Sequence, residues 1–286
     1  ELEDNNSRLA FVLDEGGTII RDMVDGLEKP VALVGISEKG DMSLEFTVSD
    51  KGGHSSMPPS HTAIGLLAEA IYKIENNPFP KRLTGASQLL YEFIGPEMPF
   101  FYRIIFSNFW LFKPYLKILL SRSPATNAML HTSIASTVFK GGDKYNILPQ
   151  RARAMVNFRI LPGDSVEKIV RKIAELIDPR ISINILRHSN NPTFVSDIKS
   201  KQFKLLQKSI SSIFPQVIVA PYLVLAGTDS RHFYKISDQI FRFSPTLMDP
   251  DDLSRIHGTN ERIGVNNFID IITFYIKLIE ELEKNL

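Results

Sequence analysis

Cysteine is missing altogether from this 286-residue chain, which excludes a disulfide framework and thiolate chemistry and leaves His, Asp and Glu to serve any metal site. Charge imbalance is missing too. The formal net charge is +1, too small a field to argue for nucleic acid or an anionic membrane as a partner. No stretch of about 18 uncharged apolar residues occurs, so no transmembrane segment is expected. Glu1 to Ser7 carry no basic-then-apolar leader signal, and the chain is expected to be soluble with its compartment left open. Repeats and low-complexity linkers are also lacking. What is present, 43% hydrophobic and 23% charged residues, is globular composition with enough length for two domains and a sizeable core.

The stretch around which the chain is organised is Asp50-Lys51-Gly52-Gly53-His54-Ser55-Ser56-Met57-Pro58-Pro59. A histidine in a glycine turn, with two hydroxyls and two prolines behind it, is presented rather than packed, which suits a group that polarises a substrate oxygen. A surface turn with a polar histidine fits the same residues.

Before it, Arg8 to Leu13 reads as a short buried strand running into Asp14-Glu15-Gly16-Gly17, two acids at a strand end, where α/β enzymes keep ligands and where a solvated turn is the plainer reading. Val31 to Ser37 is a second apolar strand. From Met42 to Ser49 the alternation is complete, with Met42, Leu44, Phe46 and Val48 on one face, so this strand belongs to a sheet with one covered face. Ile64, Leu67, Ala68, Ile71 and Ile74 then fall at helical spacing and supply the cover.

Residues 81–125 read as a helical insertion rich in aromatics, interrupted by Arg103, Lys113, Lys117 and Arg122. Such a segment packs as a hairpin on its own domain, lines an apolar pocket or lies on a lipid surface. His131 to Phe139 and Arg151 to Ile160 read as strands, the second alternating strictly, with Arg159 near its end on the uncovered face. Asp164 or Ser165 caps a helix through Val166, Ile169, Val170, Ile173 and Ile177, and Ile181, Ile183 and Ile185 make one more strand. Residues 42–188 therefore predict a ferredoxin-like α+β sandwich. Residues 1–41 and 189–286 alternate strand and helix as in an open α/β layer, and predict one domain with the sandwich inserted into it.

Five signatures in order carry a resemblance: Leu13-Asp14-Glu15-Gly16, Gly53-His54-Ser55-Ser56, Asn146-Ile147-Leu148-Pro149 with Arg159 following, Gly227-Thr228-Asp229-Ser230-Arg231, and His257-Gly258-Thr259-Asn260-Glu261. Together they resemble the zinc metallopeptidase family of carboxypeptidase S and the aminoacylases. They look closest to the branch holding Gly-Xaa carboxypeptidase and the N-fatty-acyl-amino-acid synthase/hydrolase. The resemblance implies a catalytic α/β domain, the carboxyl-terminal part of a phosphorylase/hydrolase-like open sheet, with an inserted lid that also serves in dimerisation.

The activity it implies is zinc-dependent hydrolysis of the amide bond of a peptide or N-acyl amino acid with a free carboxylate, using two zinc ions, and a homodimer through the lid. Glu15 or Asp14 matches a terminal zinc ligand and His257 the ligand of the other zinc. His54 matches the lid histidine that stabilises the tetrahedral oxyanion, often from the partner subunit. Arg159 with Asn146 matches the grip on the substrate carboxylate, and Gly227 and Thr228 open a segment that contacts substrate. The family's upstream His-x-Asp motif, bridging Asp and Glu-Glu pair have no counterpart in this sequence. The chain is accordingly expected to be the carboxyl-terminal part of a longer enzyme or a truncated product. The competing functional reading is a catalytically incomplete lid-and-half-domain module that dimerises or binds acyl-amino acids.

Overall fold

The computed structural model describes residues 7–83 and 85–285; the leader reading at Glu1 to Asn6 lies outside the described residues. In chain order the elements are β1 (Val12–Asp14), β2 (Ile19–Ile20), β3 (Val31–Glu38), β4 (Gly40–Ser49), β5 (Gly53–His54), α1 (Ala63–Asn76), α2 (Gly85–Ile94), α3 (Phe100–Ser107), α4 (Phe109–Leu120) and α5 (Pro124–Ala128). They continue with β6 (Ser133–Gly141), β7 (Ile147–Leu148), β8 (Arg151–Ile160), α6 (Val166–Leu176), β9 (Ser182–Ile185), α7 (Lys201–Ile213), β10 (Ile218–Val224), β11 (Ile240–Arg242), β12 (Leu247–Met248) and α8 (Val265–Asn285). The chain divides into two compact units, one made of Glu1–Glu38, Leu83–Arg122 and Thr193–Leu286, the other of Lys39–Arg82 and Ser123–Pro192.

In the second unit the period-2 patterns of β4 and β8 decide the architecture. The two strands pair antiparallel over their whole length, from Gly40 opposite Ile160 to Ser49 opposite Arg151. Their apolar faces, Met42, Leu44, Phe46 and Val48 with Ala152, Ala154, Val156, Phe158 and Ile160, are all buried. The sheet order is β6-β8-β4-β9, an antiparallel sheet with the βαββαβ element order, and α1 and α6 bury Leu67, Ile74, Ile169 and Ile173 in the same core. Both helices start on local chemistry. The Thr62 hydroxyl accepts the Gly65 N–H and the Ser165 hydroxyl accepts the Lys168 N–H, each satisfying an orphan donor of the first turn. Lys39 is buried here and donates to the Ala128 and His131 carbonyls at 2.8 and 2.9 Å and to the Ser133 hydroxyl at 3.2 Å.

In the first unit the described residues form a mixed sheet of order β1-β11-β3-β2-β12, with β10 joining β3 in parallel. Along β3 all but Leu33 are buried, the pattern of a strand covered on both faces rather than one. Phe203, Leu206 and Ile210 of α7 are buried, as are Phe274 and Leu278 of α8, and these two helices pack on each other.

The helical segment differs from its expected place. The sequence pattern assigns it to the 42–188 domain, whereas in the structure Leu83–Arg122 belongs with the outer segments. The reason is apolar surface: α2 buries Ala86, Leu90, Tyr91 and Ile94 and lies against β10, whose residues are mostly buried. Farther along, α3 and α4 leave Phe100, Phe101, Trp110, Leu111 and Ile118 exposed. No helix among the described residues is long and apolar enough to cross a membrane.

Candidate active site

The residues singled out from the sequence fall into two groups, Asp14, Glu15, Gly227, Thr228 and His257 in the first unit, and His54, Asn146 and Arg159 in the second.

In the first unit, β1 runs parallel to β11 and delivers Asp14 at its last position. Asp14 is committed: Oδ2 accepts the Ser230 N–H at 2.7 Å and Oδ1 accepts the Glu15 N–H at 2.9 Å. Glu15, one residue on, is exposed, and among the described residues no hydrogen bond engages its carboxylate. The structure thus separates two acids that the sequence left equivalent. Thr228 is committed as well, since its hydroxyl donates to Glu38 Oε1 and shares a 2.7 Å hydrogen bond with Ser230 Oγ. At Gly227 a Cβ would meet Arg231 Nη2 at 1.6 Å, so any side chain there would have to displace the Arg231 guanidinium. His257 follows a short 3₁₀ turn, Pro250–Arg255, with φ +54° and an exposed side chain. Left-handed backbone is uncommon outside glycine, and such positions collect at functional sites. Gly258 then closes the turn, its N–H on the Arg255 carbonyl at 2.8 Å, where a Cβ would approach the Ser254 carbonyl to 2.8 Å.

The loop from Gly227 to Arg231 is tied into a cluster that sequence reasoning missed. Glu38 is 0% exposed and Arg242 1%, and Arg242 Nε donates to Glu38 Oε1 at 2.7 Å and to Ser230 Oγ at 2.9 Å. Arg231 Nη2 reaches Glu38 Oε2 at 3.3 Å. One buried carboxylate therefore ties Thr228, Ser230, Arg231 and Arg242 together, and Ser230 in turn holds Asp14. The available signal was a charge at the end of each of two apolar strands, Val31–Glu38 and Ile240–Arg242.

In the second unit, β5 pairs antiparallel with β7, His54 opposite Ile147 and Gly53 opposite Leu148. The Ser55 N–H donates to the Asn146 carbonyl at 3.1 Å, so the structure brings His54 and Asn146 into one hairpin. The imidazole is exposed; Nδ1 accepts the Ser56 N–H at 3.1 Å and lies 2.8 Å from Ser56 Oγ. Arg159 is elsewhere. It sits opposite Asp41 and Ser133 in the sheet, with Nε 3.4 Å from Asp41 Oδ1 and its side chain 42% exposed, the two terminal nitrogens having no described partner. Of the two residues expected to act as one grip, Asn146 flanks the β5–β7 ribbon and Arg159 lies in β8 of the four-stranded sheet.

The carboxylate of Glu15 and the imidazole of His257 are donors of the kind zinc takes, but zinc asks for about four ligands. Among the described residues no three His, Cys, Asp or Glu side chains come together to hold a metal ion. The described residues supply donors that fit part of such a site.

Residues 36–182 match the family described as the peptidase dimerisation domain. The chain is 43% identical over 278 residues to the Probable carboxypeptidase S-like 2 of Dictyostelium discoideum, covering 96% of this chain and 53% of that protein. It is 38% identical over 286 residues to the N-fatty-acyl-amino acid synthase/hydrolase PM20D1 of Homo sapiens, covering 99% of this chain and 57% of that protein. The chain thus spans about half the length of the curated relatives it matches. Among solved structures, the M20 family metallo-carboxypeptidase Sso-CP2 from Sulfolobus solfataricus superposes with a TM-score of 0.65 at 16% identity, over 98% of this chain and 65% of that one, a likeness of fold.

Proposed function

This chain belongs to the M20 peptidase family, whose dimerisation domain it carries, and on that premise we propose that its residues serve a zinc-dependent hydrolase that cleaves the amide bond of an N-acyl amino acid or peptide with a free carboxylate. The observation that carries the reading is the His54 hairpin. An exposed imidazole is fixed at Nδ1 and has Nε2 without a partner among the described residues. A donor held in place before reaction stabilises charge that appears only after attack on the carbonyl, so its effect falls on the transition state.

Each remaining residue has a role in this reading. Arg159 recognises the carboxylate of the amino-acid half through its two terminal nitrogens, with Asp41 Oδ1 3.4 Å from its Nε. Asn146 acts from the His54 hairpin. The Gly227–Ser230 loop contacts substrate through its backbone, since the Thr228 hydroxyl is already used. Two zinc ions are proposed, with Glu15 holding one and His257 the other; when bound, such ions polarise the carbonyl and lower the pKa of water. The proposed assembly is a homodimer through the lid, Lys39–Arg82 with Ser123–Pro192, the outer segments forming the catalytic domain.

A substrate pair tests the reading. The enzyme should hydrolyse an N-acyl amino acid far faster than its carboxamide, and Arg159→Ala should lose about 2 kcal/mol in kcat/KM on the acid and much less on the amide. Equal discrimination in both proteins would mean that the carboxylate is read elsewhere. A second reading is a module that only dimerises or binds acyl-amino acids, which the match of residues 36–182 to a peptidase dimerisation domain also fits. Amide hydrolysis by the intact protein that is lost on zinc removal and regained on zinc addition would exclude it.

A further inference from the structure

We propose that Ser56 is a positioning residue for His54: it holds Nδ1 of the imidazole as an acceptor and so leaves the ring proton on Nε2. The inference rests on the reading of His54 as the oxyanion donor. A neutral imidazole carries one N–H and one lone pair, and the partner of one nitrogen decides which is which. Here the partner is unambiguous. A backbone N–H can only donate, and the Ser56 N–H points at Nδ1 from 3.1 Å. The Ser56 hydroxyl, 2.8 Å from the same nitrogen, can rotate its hydrogen either way; with the N–H already donating, it too must donate.

Two donors on one nitrogen place the lone pair there and the proton on the other, the nitrogen left to face a substrate. The opposite tautomer would turn a lone pair toward a developing negative oxygen, which repels rather than stabilises it. The backbone completes the arrangement. His54 is paired to Ile147, and its own carbonyl accepts the Met57 N–H at 3.2 Å, so neither end of the side chain is left to wander. The two adjacent serines thus act differently, Ser55 joining the hairpin to the Asn146 carbonyl and Ser56 setting the ring.

The test uses the intact enzyme labelled with ¹⁵N-histidine, with the His54 ring signals identified by their loss in His54→Gln. The expected spectrum has the proton on Nε2 and an Nδ1 resonance that moves toward that of an unbonded nitrogen in Ser56→Ala and stays near its native position in Ser56→Thr. In kinetics, Ser56→Ala should lower kcat about three- to tenfold with KM changed less than about twofold, and should add no loss in a His54→Ala background. A proton on Nδ1, an Nδ1 resonance unmoved by Ser56→Ala, or equal losses with and without His54 would overturn the inference. A native kcat in His54→Ala would instead sink the oxyanion reading, and the ring-nitrogen spectrum would still decide the role of Ser56.

Discussion

His54 and Arg159 stand at opposite ends of one antiparallel strand pair. Arg159 lies opposite Asp41 at the start of β4, whereas Arg151 lies opposite Ser49, the strand end from which the chain runs on to the His54 hairpin. Eight residues at about 3.3 Å each put those ends roughly 26 Å apart, longer than an amino acid and its amide bond. If both side chains act on one substrate, the proposed homodimer would supply them from different subunits.

Subunit mixing tests this. Dimers of His54→Ala or of Arg159→Ala should each be close to inactive. A mixed dimer should contain one site with both native side chains, so that equal mixing restores about a quarter of native activity. Absence of rescue, with heterodimers shown to form, would mean that the two residues do not meet across an interface.

Metal content should separate the two neighbouring acids. Asp14 is spent on the Ser230 and Glu15 amides, while the Glu15 carboxylate is exposed and has no hydrogen-bond partner among the described residues. In the intact enzyme, Glu15→Gln and His257→Ala should each lower bound zinc, and Asp14→Asn should retain it at the cost of a less ordered Gly227–Ser230 loop. Zinc lost in Asp14→Asn and kept in Glu15→Gln would reverse the assignment.

The buried Glu38 should matter more to stability than any exposed pair. Glu38→Gln leaves the Arg242 guanidinium, 1% exposed, without its counter-charge, and breaking a buried pair from one side costs about 3–5 kcal/mol. Chemical denaturation should show a loss of that order. The exposed pair between Arg8 and Asp238 supplies the contrast, since Asp238→Asn should change stability by about 1 kcal/mol or less. Similar small losses in both variants would mean that the cluster around Glu38 relaxes or fills with water.

Stability should also rise with pH through Lys39. Burial pushes its ammonium down to about 7, with the charge of Arg159 adding to the effect and Asp164 opposing it. From about pH 7 to the ordinary lysine range the unfolded chain holds a proton that the folded chain has released, so unfolding free energy increases with pH across that window; the gain is lost as pH falls through 7. Urea midpoints of the native protein should therefore climb from pH 7 to 9.5 relative to those of Lys39→Met, and parallel profiles would refute this.

The strands β4 and β8, the cap at Asp164 or Ser165 and the helix α6 were legible in the sequence because each is written in near neighbours. A period of two sorts a strand's faces, and a hydroxyl meets an amide three residues ahead. The exposure of His54 was legible for a similar reason, since the glycines before it mark a turn whose geometry is local.

Contacts between distant residues were settled only by tertiary structure. Glu38 and Arg242 are 204 residues apart and meet because β11 pairs with β3, a register that neither strand specifies alone. Asp14 and Glu15 became distinguishable once the Ser230 amide, 216 residues away, arrived on one of them. The helical segment Leu83–Arg122 joined the unit where β10 offered apolar surface, and Asn146 came beside His54 because β7 pairs with β5. Sequence by itself determined which side chains are presented, since that depends on local backbone. The fold decided which of them meet and which remain free, since that depends on pairings between segments whose separation along the chain carries no information about their distance in space.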